Sequence, residues 1–326
     1  MQSIGSKVIV RRLLFFLTLI FLLGLPSSIR FVEIQKIQTG NYLIVEEGQG
    51  INLIIDNLKN QNNNQFLTIL KVKYLFKTIN IVPGRYEIKP SMSYVELFED
   101  ILEGNLQQFR FTIIEGKVAK DALNKLKQII KNNNLNFQIS PKTEEIFSEE
   151  SLILPDTYFF TDRQQLESLM INQKKRLGSI LTKLWKNKPK DNPLKNINEA
   201  LVLASIVERE AAVEWERAQI SSVFLSRIRD GWRLDADPTL IYGYYGDFSK
   251  KITKENLRAV KGDNNPFNTY KIKGLPPKPI CYPSLSSIES VIMSSPGQYY
   301  FFVAKGDGTH IFSKTLDEHN KAVNNR

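Results

Sequence analysis

The chain has 326 residues, 42% of them hydrophobic and 24% charged, with a formal net charge of +10. That much apolar material supports one or two packed domains and excludes a disordered chain, while 17 Gly and 14 Pro exclude collagen-like and low-complexity classes. A single cysteine, Cys281, excludes a disulfide framework and a Cys-rich zinc site, and with only two histidines, His310 and His319, neither a metal nor a cofactor is expected.

The amino terminus reads as a membrane anchor. Lys7, Arg11 and Arg12 precede an apolar run from Leu13 to Leu25, followed by Pro26, Ser27, Ser28, Ile29 and Arg30. A span usually needs about 20 residues, so this run is short, but Val8–Val10 and snorkelling by the two arginines extend it. The alternative is a cleaved signal peptide, against which Pro26 stands where a small-residue site is wanted. The expected layout is a cytoplasmic tail over 1–12, a single uncleaved span over 13–29 and everything after Arg30 outside the cell membrane. Export argues against nucleic acid as the partner of this basic chain.

From Ile37 the chain reads as a small α+β module. A strand at Tyr42–Val45 and a turn at Glu46–Gly50 lead to helices over Ile51–Leu58 and Phe66–Phe76, then a strand over Gly84–Ile88. Ser93 and Glu96 form a capping-box pattern, and Tyr94, Leu97, Phe98, Ile101 and Leu102 follow at helical spacing up to Gly104. Phe109–Ile114 alternates as a strand, and Ala119, Ala122, Leu123, Leu126 and Ile130 mark an amphipathic helix. Asn132–Ser151 is polar and acidic and reads as a loop, Leu154–Phe160 as an extended piece, and Gln164–Trp185 as a basic helix. Arg163–Asn198 carries nine basic and two acidic residues, a net +7. Its charges fit a solvated helix face or a surface that meets a polyanion.

Glu199–Val213 is the most apolar helix after the anchor. Leu201, Ala204, Ser205, Glu208 and Ala212 share one face, so Glu208 projects among small and apolar side chains. Desolvation raises a carboxyl's pKa, and a glutamate protonated near neutrality can donate to a leaving oxygen. A salt bridge to Arg227 or Arg229 is the structural alternative. Glu210 falls on another face with Glu214 and Arg217, where ordinary ion pairing is expected. A second helix ends at Gly231. Loops follow that are dense in Pro, Asn, Asp, Thr and Tyr: Leu234–Gly243, Asn265–Tyr270 and Gly274–Ile280. Such loops fix backbone shape and present polar groups and aromatic faces, which suits a saccharide cleft.

Taken in order, Ala204-Ser-Ile-Val-Glu208, Asp237-Pro-Thr239, Asn268-Thr-Tyr270, Gly274-Leu-Pro-Pro277 and His310-Ile-Phe-Ser313 with His319-Asn320 resemble the endolytic murein transglycosylases of the YceG-like family. Leu154-Pro-Asp-Thr-Tyr158 resembles the motif before that family's catalytic helices, and Gly84-Arg-Tyr86 and Ile114-Glu-Gly116 resemble its LysM-like module. Asp235, Asn265, Lys278 and the stretch Tyr282-Pro-Ser284 depart from the family pattern. The resemblance implies a membrane-anchored α+β protein: a LysM-like module over 40–113, a connecting region over 114–198 with the basic helix, and a mixed α/β catalytic core over 199–326. It also implies Glu208 as the catalytic residue and Asp237, Thr239, Asn268, Tyr270 and His310 as substrate contacts. The implied reaction cuts the bond between N-acetylmuramic acid and N-acetylglucosamine in nascent glycan strands and leaves a 1,6-anhydro end. Implied partners are peptidoglycan strands, the membrane and the peptidoglycan synthases. A non-catalytic wall-binding scaffold and a glycoside hydrolase are the alternatives.

Overall fold

The computed structural model describes residues 35–37, 40–62, 64–74, 80–250, 253 and 264–325. The expected anchor over 13–29 lies outside the described residues, among which no helix is long and apolar enough to cross a membrane. The chain divides into two compact units between Gln108 and Phe109. The division falls before the boundary expected at 113, because Phe109–Thr112 is paired with a strand of the second unit.

In the first unit, β1 (Tyr42–Val45) pairs antiparallel with β2 (Gly84–Glu87), Leu43 facing Tyr86. Between them come α1 (Ile51–Gln61), a 3-10 turn over Gln65–Ile69 and α2 (Leu70–Tyr74), and after them α3 (Tyr94–Glu103). The capping box on α3 forms as expected: Ser93 accepts from the Glu96 backbone N–H, and the Glu96 carboxylate accepts from the Ser93 N–H at 2.6 Å. Gly104 closes α3 in the left-handed region, at φ 73°, where glycine carries no Cβ penalty. Ile54, Ile55, Leu58, Leu70, Tyr86, Leu97 and Phe98 form the core of this unit.

The second unit opens with β3 (Phe109–Thr112), antiparallel to β4 (Thr157–Phe160), with α4 (Ala119–Asn132) and α5 (Pro141–Ile146) between them. The loop expected over 132–151 thus contains a short helix. Ser140 caps it and Pro141 stands in its first turn, where the missing N–H is not needed. The basic helix is α6 (Arg163–Lys186), with Leu166, Met170, Leu177 and Leu181 buried. Next come α7 (Ile197–Glu210), α8 (Arg217–Arg229) and α9 (Asp237–Tyr245), then α10 (Leu285–Met293), the hairpin of β5 (Phe301–Ala304) and β6 (His310–Ser313), and α11 (Leu316–Asn324). The loop expected over Leu234–Gly243 thus contains the start of α9, again with proline in the first turn.

Helix α7 is the centre of this unit. Every residue from Ala200 to Val207 is buried, and α8 and α10 pack against it. Ser205 turns its polarity inward: its hydroxyl donates to the Val202 carbonyl at 2.7 Å and accepts from the Ile280 N–H at 3.0 Å. The chain at Ile280–Cys281 is thereby fixed along α7, and α10 starts four residues later.

Candidate active site

Helix α7 ends with two glutamates whose side chains meet different surroundings. Glu208, the residue singled out by sequence, is nearly enclosed, with 7% of its side chain exposed. Its Oε2 accepts from the Ser284 N–H at 2.9 Å, the Ser284 hydroxyl at 2.6 Å and the Ser287 hydroxyl at 2.7 Å. Its Oε1 accepts from Arg217 Nη2 at 3.3 Å. Ser284 is the N-cap of α10, so this carboxylate sits at the positive end of that helix and ties it to α7. These bonds fasten α10 to α7, and Glu208 does not line the cleft described next.

Glu210 lines a cleft of about 500 Å³ together with Arg227, Asp235, Asp237, Tyr270, His310 and the aromatic wall of Phe301 and Phe302. Its carboxylate forms no hydrogen bond or ion pair among the described residues. Glu210 is half-buried, and desolvation pushes its pKa from 4.5 up to about 7; the negative charge of Asp237 adds to the rise, and Arg227 and Arg209 oppose it. The ion pairing expected of Glu210 is absent, because Arg217 is engaged by Glu208 and by Glu214, the latter at 3.9 Å.

The remaining expected residues divide into two groups. Asp237, Tyr270 and His310 line the cleft. Tyr270 donates its hydroxyl to Asp237 Oδ1 at 2.7 Å, and burial first, then that bond, push its phenol well above the ordinary range. His310 lies on β6, where its N–H donates to Glu216 Oε1 at 2.9 Å and its Nδ1 to Glu216 Oε2 at 2.7 Å. Glu216 is 1% exposed, so the carboxylate fixes the ring and leaves Nε2 as the other ring nitrogen.

Thr239 and Asn268, expected as substrate contacts, are both fully buried and do not line the cleft. They shape it from behind. The Thr239 hydroxyl donates to the Ala236 carbonyl at 2.7 Å and meets the Thr269 hydroxyl at 2.8 Å, while Thr269 Oγ1 accepts from the Ala236 N–H at 3.0 Å. Asn268 Oδ1 accepts from the Tyr270 N–H at 3.1 Å. These bonds join the start of α9 to the loop at 268–270, and so hold Asp237 beside Tyr270.

Arg227, 8% exposed, donates from Nε to the Tyr300 carbonyl at 2.8 Å and from Nη1 to the Leu234 carbonyl at 2.6 Å. It braces the hairpin against α8, and burial lowers its pKa. Asp235 adopts φ 48°, a left-handed conformation rarely taken by residues other than glycine and asparagine, at the rim of the cleft. Among the described residues no group of three or more His, Cys, Asp or Glu could hold a metal ion.

Residues 43–325 match the YceG-like family. The chain belongs to that family. An endolytic murein transglycosylase of Bacillus subtilis (strain 168) is 28% identical over 263 residues, covering 73% of this chain and 71% of that protein. A second protein of that description, from Streptococcus pneumoniae serotype 2 (strain D39), is 28% identical over 176 residues, 53% of this chain and 31% of the longer relative. The crystal structure of a YceG-like protein from Listeria monocytogenes aligns with a TM-score of 0.52 and 26% identity, over 88% of this chain and 99% of that one. The YceG-like match spans Glu210, the loops that carry Asp237 and Tyr270, and the hairpin of His310.

Proposed function

We propose that this chain is a peptidoglycan lytic transglycosylase in which Glu210, rather than Glu208, is the general acid and base. One observation carries the assignment. Glu210 is an unbonded carboxylate on the wall of the cleft with its pKa raised to about 7, so it carries a transferable proton near neutrality.

Glu210 first gives its proton to the oxygen between muramic C1 and N-acetylglucosamine. The C1–O bond breaks with its electron pair on that oxygen, and positive charge develops at C1. The Glu210 carboxylate then takes the proton of the muramic C6 hydroxyl, whose oxygen closes on C1. Glu210 ends protonated, as it began, and no water is consumed. Asp237, held by Tyr270, supplies negative charge beside the developing cation. The non-Nδ1 side of the His310 ring is available to a sugar hydroxyl or acetamido group.

Incubation of the enzyme with purified glycan strands, followed by mass analysis, tests the reading. A 1,6-anhydromuramic end supports it, and absence of any cleavage overturns it. Asp237 also gives the cleft a second carboxylate beside Glu210, and glycoside hydrolases use a pair of carboxylates. A hydrated reducing end would assign the protein to that reaction instead.

The wider setting rests on the same reading. The strand–helix–helix–strand order of the first unit supports a LysM-like glycan grip within 40–113, and the apolar run at Leu13–Leu25 supports a single-pass anchor in the cell membrane with the catalytic unit outside. A membrane-held enzyme that cuts within strands would terminate nascent glycan beside the synthases. Protease applied to spheroplasts should digest the chain after Arg30; a soluble form starting after Ser28 would overturn the anchor.

A further inference from the structure

A second cavity, of about 610 Å³, adjoins the catalytic cleft. Arg227, Asp235, Phe301 and Leu316 line both. The two differ in charge. The catalytic cleft sets Glu210, Asp235 and Asp237 around a single arginine, Arg227. The second cavity adds Arg233, Lys271, Lys273 and Lys314, with Asp235 as its one carboxylate.

These cations do not come from one solvated helix face. Arg233 follows α8, Lys271 and Lys273 follow Tyr270, and Lys314 follows β6, so three separate segments bring positive charge to one rim. Arg227 is occupied by backbone carbonyls, and Arg233 lies 4.0 Å from Asp235. The three lysines are exposed and supply the accessible charge. Trp232, 45% exposed and packed on Tyr300 at 5.0 Å, adds an apolar wall.

A glycan backbone of acetylated sugars with amide-linked lactyl groups has no anion to match this rim. The peptides attached to its muramic units do. We propose that the second cavity is a subsite for the carboxylates of an acidic peptide carried by the sugar bound in the catalytic cleft. The inference rests on the glycan-strand reading above. Because the cavity shares a wall with the cleft, a strand cut in its interior would bring a peptide there at every muramic unit, whereas a terminal pyrophosphate would arrive only at a strand end.

Binding to the inactive Glu210→Gln chain tests this, using calorimetry with glycan oligomers of one length, either peptide-bearing or stripped of peptide with each lactyl carboxyl capped as a simple amide. Replacing Lys271, Lys273 and Lys314 by Ala should weaken the peptide-bearing oligomer about tenfold, equivalent to about 1.4 kcal/mol. Binding of the stripped oligomer should change less than about twofold, and the difference should shrink as salt rises from about 0.05 to about 0.5 M. Equal weakening of both oligomers, or of neither, overturns the proposal. So does inorganic pyrophosphate binding at the three lysines when the free acidic peptide does not. The single variant Lys314→Glu should show the same peptide-dependent loss, which keeps the test valid if the triple variant melts early. Failure of the reaction reading would appear separately, as wild-type enzyme that binds both oligomers and cuts neither.

Discussion

Glu208 and Glu210 stand two residues apart at the end of one helix, and the protein treats them in opposite ways. Around Glu208, the N-terminus of α10, two serine hydroxyls and Arg217 satisfy the carboxylate and lock two helices together. Around Glu210 the protein supplies burial and a neighbouring negative charge but, among the described residues, no donor, and the proton is held up to about pH 7. A carboxylate fully satisfied by the protein has nothing left to offer a substrate. One that is buried and unsatisfied is costly to the fold and useful to the chemistry.

The sharpest way to break this contrast is to exchange each carboxylate for its amide. Glu210→Gln should lower cleavage by about 10³-fold, within the range for loss of a general acid and base, with the melting temperature unchanged or raised. Product formation measured by mass spectrometry decides it. Glu208→Gln should retain cleavage wherever the protein is folded; a folded Glu208→Gln that is inactive beside an active Glu210→Gln would reverse the two roles. Glu208→Ala should cost about 3 kcal/mol in denaturant unfolding, because Arg217 and the serine donors lose a buried acceptor.

The pH response sharpens the contrast further. Glu210 has a folded pKa of about 7 against an ordinary 4.5, so the folded state holds its proton more tightly than the unfolded chain. Its contribution to stability is therefore full below pH 4.5 and declines as pH rises to about 7, and Glu210→Gln should flatten that part of the stability profile. Cleavage needs the protonated form and should fall above about pH 7. The smallest effect is expected from Tyr270→Phe, which removes the bond to Asp237 and should slow turnover about tenfold, in line with a hydrogen bond to a charged group. Its pH profile, compared with that of the wild type, shows whether Asp237 sets the proton affinity of Glu210.

The amino-acid pattern singles out α7, but it does not separate Glu208 from Glu210. A helical face discriminates only when one side is buried and the other is not. Ala200–Val207 is buried all round, so periodicity along α7 ranked nothing. Two residues also turn the helix by about 200°, which sends Glu208 and Glu210 in nearly opposite directions. The neighbours that distinguish them, Ser284 and Asp237, lie far along the chain and are visible only once it folds. The box at Ser93 and Glu96 was legible because its partners are three residues apart. Helix α9 was read as a loop because Asp237-Pro238 signals a turn and a helix start equally well. The hairpin of β5 and β6 had a signal that went unused: Lys305-Gly-Asp-Gly308 between two apolar runs. Thr239 and Asn268 lie behind the cleft wall, and polar loop residues that shape a site look the same in sequence as those that touch its ligand.

The position of β5 and β6 in the chain also has a consequence for timing. Helices α7 and α8 come early in the second unit, but Phe301, Phe302 and His310, which close the cleft, are made well after them. A chain still in synthesis, or cut short before Phe301, lacks Phe301, Phe302 and His310 from the wall of the cleft that Glu210 lines. Capacity to cut glycan would thus switch on only after the hairpin has been made, and a degradation product clipped ahead of the hairpin would be silent. A wall-cutting enzyme built in this order does not act on its surroundings before its cleft is closed.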